Sequence, residues 1–201
     1  MAKARPAIPQ AIREKVLKEF SHRCAVCGAD NPQLHHLDES PANNDPQNLI
    51  PLCPNCHLTD QHNPTRRHDP KKLSLFRTFK DPCILFPQFE PLFDRIRFLD
   101  SVDQAFDPDA CSERARDLVG FVGDLEMGAY YSKKISELVT APAWGFAFFL
   151  GDPESERRHE ESRAEWRVEY QRKLLQNRAA VQKVVVELLR FQKWTSDERK
   201  G

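Results

Sequence analysis

Residues 24–57 read CAVCGADNPQLHHLDESPANNDPQNLIPLCPNCH, and the architecture of the chain turns on them. Cys24-Ala-Val-Cys27 and Cys53-Pro-Asn-Cys56 are two C-x-x-C pairs with 25 residues between them. Each pair sets two sulfurs on one tight turn, and a tetrahedral ion can then close the intervening loop. Four thiolates suit zinc and leave no open coordination position, so this site is expected to be structural. Such sites contribute on the order of 10 kcal/mol to the folding of a small module. The region needs that help. Residues 24–69 hold four of the six Cys and five of the seven His, together with many Asn, Asp and Pro, and cannot build a large apolar core.

Within the stretch, Leu34-His35-His36-Leu37 reads as one short strand and Asn48-Leu49-Ile50-Pro51-Leu52 as a second that leads into the second Cys pair. His57 follows Cys56 directly and can open a helix. Upstream, residues 1–23 form a basic arm with six Lys/Arg against two Glu, and Pro9 precedes a short helix marked by Ile12, Val16 and Phe20. Downstream, residues 70–82 are basic again and read as a linker. Residues 83–201 then read as a mostly helical domain. Phe86, Phe89, Leu92, Phe93, Ile96 and Leu99 recur at three- and four-residue steps, which predicts an amphipathic helix after Pro87 or Pro91. Residues 111–139 read as one or two helices interrupted by glycine, and a long helix begins after Gly151-Asp152-Pro153 and runs without Pro or Gly to Trp194. The fold class is therefore α+β, a small zinc-stapled module followed by helices.

The chain of 201 residues carries 30 Lys+Arg and 30 Asp+Glu, and 40% of it is apolar. It is too apolar for a disordered chain and too charged for a membrane protein. The longest apolar stretch, near Ala141 to Leu150, is about half the roughly 20 residues of a spanning helix. No secretory h-region follows the basic N-terminus, so a cytoplasmic location without membrane association is expected. A reducing compartment also favours metal over disulfides for paired cysteines.

The order His-His, Asn, His, set between two Cys pairs, resembles the HNH endonucleases of the ββα-metal fold. The resemblance rests on His35, His36, Asn48 and His57 with all four knuckle cysteines, and covers about residues 10 to 65. It implies phosphodiester hydrolysis with one divalent metal. From the residues alone, either imidazole of the pair can serve as base, since adjacent strand residues point to opposite faces. The resemblance makes His36 the general base, for which an imidazole is suited at neutral pH. It makes His35 and His57 ligands of the catalytic metal, and Asn48 the residue whose amide holds the loop and so orients the base. A third ligand, a turn further on, is open between Asp60, Gln61 and His62. Imidazole donors favour Mn²⁺, Ni²⁺ or Zn²⁺, while water and phosphate oxygens suit Mg²⁺. Mg²⁺ or Mn²⁺ is the expected catalytic ion, with Ni²⁺ as a further candidate.

Arg13, Lys15, Lys18 and Arg23 before the site, and Arg66, Arg67, Lys71 and Lys72 after it, are candidate phosphate contacts. The expected partner is DNA, double-stranded rather than RNA. The helical half is acidic between Phe89 and Glu126, with ten Asp/Glu against four Lys/Arg. It is therefore the place to expect a homodimer contact or a protein partner. Proteins of this plan serve bacterial restriction or anti-phage defence, an expectation by family analogy alone. Two alternatives stand beside it: a zinc-stabilised nucleic-acid-binding module without catalysis, and a nuclease subunit gated by a partner.

Overall fold

Asp-Pro dipeptides punctuate this chain. Proline has no N–H to lose at a helix start, and an aspartate before it can accept from the N–H just beyond. A computed structural model describes residues 7–57, 69–143 and 152–192. In it the five dipeptides at Asp45, Asp69, Asp81, Asp107 and Asp152 each open a helix or a 3-10 turn. Each carboxylate accepts from the backbone N–H two residues on, at 2.8–3.0 Å.

The chain divides into two units between Phe86 and Pro87. In the first, helix α1 (Gln10–Glu19) is followed by strand β1 (Gln33–His36), strand β2 (Leu49–Leu52) and helix α2 (Pro70–Phe79). β1 and β2 pair antiparallel, with His35 opposite Ile50 and His36 opposite Leu49. Leu37 N–H extends the ladder by donating to Asn48 O at 2.8 Å. β2 is buried along its whole length, and Val16 and Leu17 of α1 and Leu73 and Phe76 of α2 are buried with it. With two strands and several helices, the described chain is of the α+β class.

The segment that its charge marks as a linker, residues 70–82, is instead α2 and the start of a 3-10 turn, and it belongs to the first unit. The reason is local. Asp69 caps the helix, Pro70 starts it, Leu73, Leu75 and Phe76 bury one side, and Lys80 in the left-handed region (φ 52°) ends it. The unit then closes with Pro82–Leu85, where Ile84 is fully buried.

Arg77 joins these pieces. Its guanidinium is 2% exposed and grips both Glu19 carboxylate oxygens, at 2.9 and 2.6 Å. It also donates to Leu49 O at 2.9 Å and to Pro46 O at 3.1 Å. Lys80 makes a second ion pair with Glu19, and both cations lie over the Phe20 ring. The Arg77 hydrogen bonds, foremost among these contacts, hold the Glu19 pKa down at about 2.

The regular structure of the second unit's described residues is helical: α3 (Glu90–Ile96), α4 (Pro108–Gly123), α5 (Gly128–Val139) and α6 (Pro153–Leu189). α5 packs on both α4 and α6. Leu92, Phe93, Leu118, Val122, Ile135, Tyr170, Leu174, Val181 and Val185 are its core. α6 is about 55 Å long at 1.5 Å per residue. Its first turns are charged and carry ion pairs at i,i+4 spacing, such as Arg157–Glu161, whereas its apolar anchors begin at Tyr170. Tyr170 O–H donates to Val139 O and Asn177 Nδ2 to Leu138 O, which fastens α6 to the end of α5. No helix among the described residues is long and apolar enough to cross a membrane.

At the α4–α5 corner a Cβ on Gly128 would lie 2.4 Å from the carbonyl oxygens of Val122 and Gly123, while one on Gly120 would meet nothing. Gly128→Ala is expected to destabilise the second unit by about 1–3 kcal/mol, and Gly120→Ala to stabilise it by up to about 1 kcal/mol. Thermal unfolding followed by tryptophan fluorescence distinguishes the two. In the first unit, Glu19→Ala strands the buried Arg77 charge. Discounted for the partial exposure of Glu19, the cost is about 2 kcal/mol at neutral pH. The Glu19 pKa is depressed, so its contribution is complete above the unfolded value of 4.5 and is lost as pH falls toward the folded value of about 2. The gap between wild type and Glu19→Ala in urea unfolding of the first unit should close across that window.

Candidate functional site

The two C-x-x-C pairs converge. Cys24, Cys27, Cys53 and Cys56 place their sulfurs within 4.8 Å of one another. In the first pair, Cys24 N–H donates to Ala29 O, and Gly28, at φ +74°, donates back to Cys24 O, closing a tight loop. Gly28 takes that left-handed position without the steric cost a side chain would bring. Ala25 N–H donates to Pro51 O at 2.8 Å and so ties this loop to β2. In the second pair, residues 54–57 turn helically, with His57 N–H donating to Cys53 O and Cys56 N–H to Cys53 Sγ.

A tetrahedral ion with metal–sulfur bonds of about 2.3 Å holds its sulfurs about 3.8 Å apart. Cys27 Sγ and Cys53 Sγ are 3.5 Å apart, and the cluster's outer limit of 4.8 Å is within easy adjustment of that tetrahedron. The four cysteines could hold a metal ion such as zinc. The Cys56 N–H, above all, draws the Cys53 thiol down to about 7, while burial pushes Cys56 and Cys27 up. Thiolates crowded this closely need a cation to ionise together.

The strands and the turn after Cys53 also carry the histidines. His35, His36 and His57 are 4%, 3% and 9% exposed. The rings of His35 and His57 meet edge to face with centroids 5.1 Å apart, and His35 Nε2 and His57 Nδ1 are both buried ring nitrogens. An imidazole bound at about 2.1 Å puts its centroid about 3.2 Å from the ion, so two such ligands near a tetrahedral angle have centroids about 5 Å apart. The 5.1 Å between the His35 and His57 centroids is compatible with that spacing and equally with a simple ring contact. Among the described residues no third Cys, His or carboxylate joins them. Asp60, Gln61 and His62 lie outside the described residues.

His36, the next residue on β1, has other company. Its Nε2 lies in hydrogen-bond contact with Asn44 Oδ1 at 3.2 Å, and its Nδ1 is buried with no hydrogen-bond partner among the described residues. Asn48 does not touch it. The Asn48 Oδ1 accepts from Asp38 N–H at 3.0 Å, and its Nδ2 donates to Asp38 Oδ1 at 2.8 Å and to Asn43 O at 3.0 Å. Asn43 Nδ2 and the Ser40 N–H also donate to the Asp38 carboxylate. Burial raises the Asp38 carboxyl, but the hydrogen bonds from Asn43, Asn48 and Ser40 together outweigh it and hold the group below its ordinary value. The β1–β2 loop is thus knotted around Asp38. Asn44 and Asp38 were not among the residues singled out from sequence; the only signal for them is the density of Asn and Asp in residues 38–48.

Of the candidate phosphate-binding cations, Arg13, Lys15, Lys18, Arg23 and Lys71 are exposed. Arg23 shares its charge with Asp30 at 3.7 Å and its Nη1 donates to Gly28 O. Lys72 departs from the expectation: it lies on the buried side of α2 beside Leu73 and is 5% exposed, so it presents no cation to a surface ligand. Arg66 and Arg67 lie outside the described residues.

The four-sulfur centre has a direct test. The purified chain should carry one zinc per molecule and, with Co²⁺ in its place, show the charge-transfer absorption of tetrahedral thiolate. Cys53→Ser should lose both, together with the dispersed amide spectrum of the first unit. A chain that keeps that spectrum with no bound metal would remove the ion from the fold. No family model, curated protein or solved structure was found to match this chain, so the chemistry of the site rests on its own residues.

Proposed function

We propose that the chain is a metal-dependent endonuclease of the HNH type that hydrolyses DNA phosphodiester bonds, with a structural zinc at Cys24, Cys27, Cys53 and Cys56. The observation that carries the reading is that His35 and His36 of β1 and His57, on the turn that holds Cys53 and Cys56, are all buried, with the His35 and His57 rings in contact. A binding module has no use for three histidines in a place where each must be desolvated.

In this reading His35 and His57 hold a divalent ion, Mg²⁺ or Mn²⁺, which when bound supplies positive charge at the scissile phosphate. His36 is the base. It takes a proton from water as the water oxygen attacks phosphorus in line with the leaving oxygen. Asn48, through Asp38 and the Asn43 carbonyl, keeps the β1–β2 loop from drifting off β1. The exposed cations Arg13, Lys15, Lys18, Arg23 and Lys71 add sequence-independent attraction to the backbone.

The burial of His35 and His36 favours one variant of this reading, in which a protein partner opens the histidine cluster before DNA enters. Plasmid cleavage with Mg²⁺ or Mn²⁺ tests the proposal. Wild type should convert supercoiled DNA to nicked or linear forms, and His36→Ala should lower the rate by about 100-fold or more. Equal cutting by both proteins removes His36 from the chemistry. Failure to cut with any metal, partner or activator, while the chain still retards DNA in a gel, would leave a zinc-stabilised binding module.

A further inference from the structure

We propose that Asn44 is the positioning residue for His36: it takes the Nε2–H and thereby leaves Nδ1 as the atom that accepts the proton. The inference rests on the nuclease reading and names a part of the site that the HNH pattern does not contain. A neutral imidazole has one N–H and one lone pair, and the hydrogen bond made by one nitrogen sets the role of the other. An amide oxygen only accepts, so the 3.2 Å contact with Asn44 Oδ1 requires the proton on Nε2. The lone pair then sits on Nδ1, which is buried and meets no hydrogen-bond partner among the described residues. A buried polar nitrogen without a partner is costly, and its natural partner is a water.

Asn44 is well placed to impose this. The residue before it, Asn43, is held by its own Nδ2 on the Asp38 carboxylate at 2.7 Å and by Asn48 on its carbonyl. The residue after it, Asp45, donates its N–H to Asn43 Oδ1 and caps the 3-10 turn Pro46–Asn48. Asn44 therefore has little freedom to leave His36. Asn48 acts on the base at one remove, by fixing the loop from which Asn44 reaches. In the step itself, the water oxygen forms the new bond to phosphorus and its proton passes to His36 Nδ1. The electron pair of the broken phosphorus–oxygen bond leaves with the departing oxygen, which is protonated from solvent. The imidazolium that forms keeps its Nε2–H on an oxygen acceptor, which steadies the charge.

The test uses the full zinc-loaded chain on plasmid DNA. Asn44→Ala should lower kcat by about 10- to 100-fold with KM for DNA and zinc content unchanged, and Asn44→Asp, which keeps an acceptor at the same place, should restore the rate to within a few-fold. In parallel, ¹⁵N spectra above the ordinary imidazole range should show the wild-type His36 ring protonated on Nε2, the assignment being made by loss of the signal in His36→Gln. The ring should become a tautomer mixture in Asn44→Ala. Wild type that cuts while Asn44→Ala cuts equally fast, an Asn44→Asp variant as slow as Asn44→Ala, or a His36 ring protonated on Nδ1 would each overturn the proposal and leave the nuclease reading standing. Wild type that cuts under no condition overturns that reading first, and this proposal with it.

Discussion

The first unit hangs on the guanidinium of Arg77. Two strands of four residues and two helices of ten bury too little apolar surface to define one arrangement by themselves. One side chain with five donors in a rigid fork supplies the missing specification. It meets the end of α1 at Glu19, the turn before β2 at Pro46 and the first residue of β2 at Leu49. Lysine would not serve, since a point charge reaches one or two of these acceptors and leaves the others buried and unpaired. The bidentate pairing with Glu19 is what makes a 2%-exposed charge tolerable at all.

β2 is then clamped from both ends. Arg77 holds it at Leu49, and the Cys53–Cys56 turn, tied across to the first knuckle through Ala25 and Pro51, holds it at the other. The antiparallel register transmits both constraints to β1, where Leu49 and Ile50 stand opposite His36 and His35. The two histidines inherit their positions from a strand pinned at Leu49 by Arg77 and at Pro51 by the first knuckle. The Asp38–Asn43–Asn48 knot adds the third constraint, on the loop. Acidic, amide and backbone groups satisfy one another there, so the loop keeps its shape without apolar contacts.

What was legible in the sequence is what depends on neighbours along the chain. The Cys pairs, the helix after Pro9 and the helix start at Asp152-Pro153 are local patterns, and the described residues contain each of them. The helix α2 was legible too, in Asp69-Pro70 followed by Leu73 and Phe76, but its lysines draw the eye to charge and away from the cap. The same bias misplaces Lys72, whose side chain type says surface and whose position on α2 says interior. Arg77 was beyond reach, because its partners are 28 and 58 residues away and nothing local distinguishes it from Arg66 or Arg67. Asn44 was beyond reach for a related reason: in a run of Asn and Asp, which one faces a histidine is decided by how the loop folds back, eight residues from its target.

The balance of charge now has a physical reading. The first unit carries twelve Lys/Arg against nine Asp/Glu, and the second the mirror excess of acid. Of the first unit's cations, Arg77 and Lys80 are spent on Glu19, and Lys72 is buried. The field left over is too weak to draw a duplex from a distance, since long-range steering scales with uncompensated charge and is screened within about 8–10 Å in physiological salt. If the chain is the nuclease proposed above, its affinity for DNA comes from a few close contacts made after encounter, and a second body that concentrates it on the duplex would raise the rate more than any single added lysine. In the nuclease reading the second unit, with 18 Lys/Arg against 21 Asp/Glu, adds no attraction to phosphate, and it is the place to look for that body.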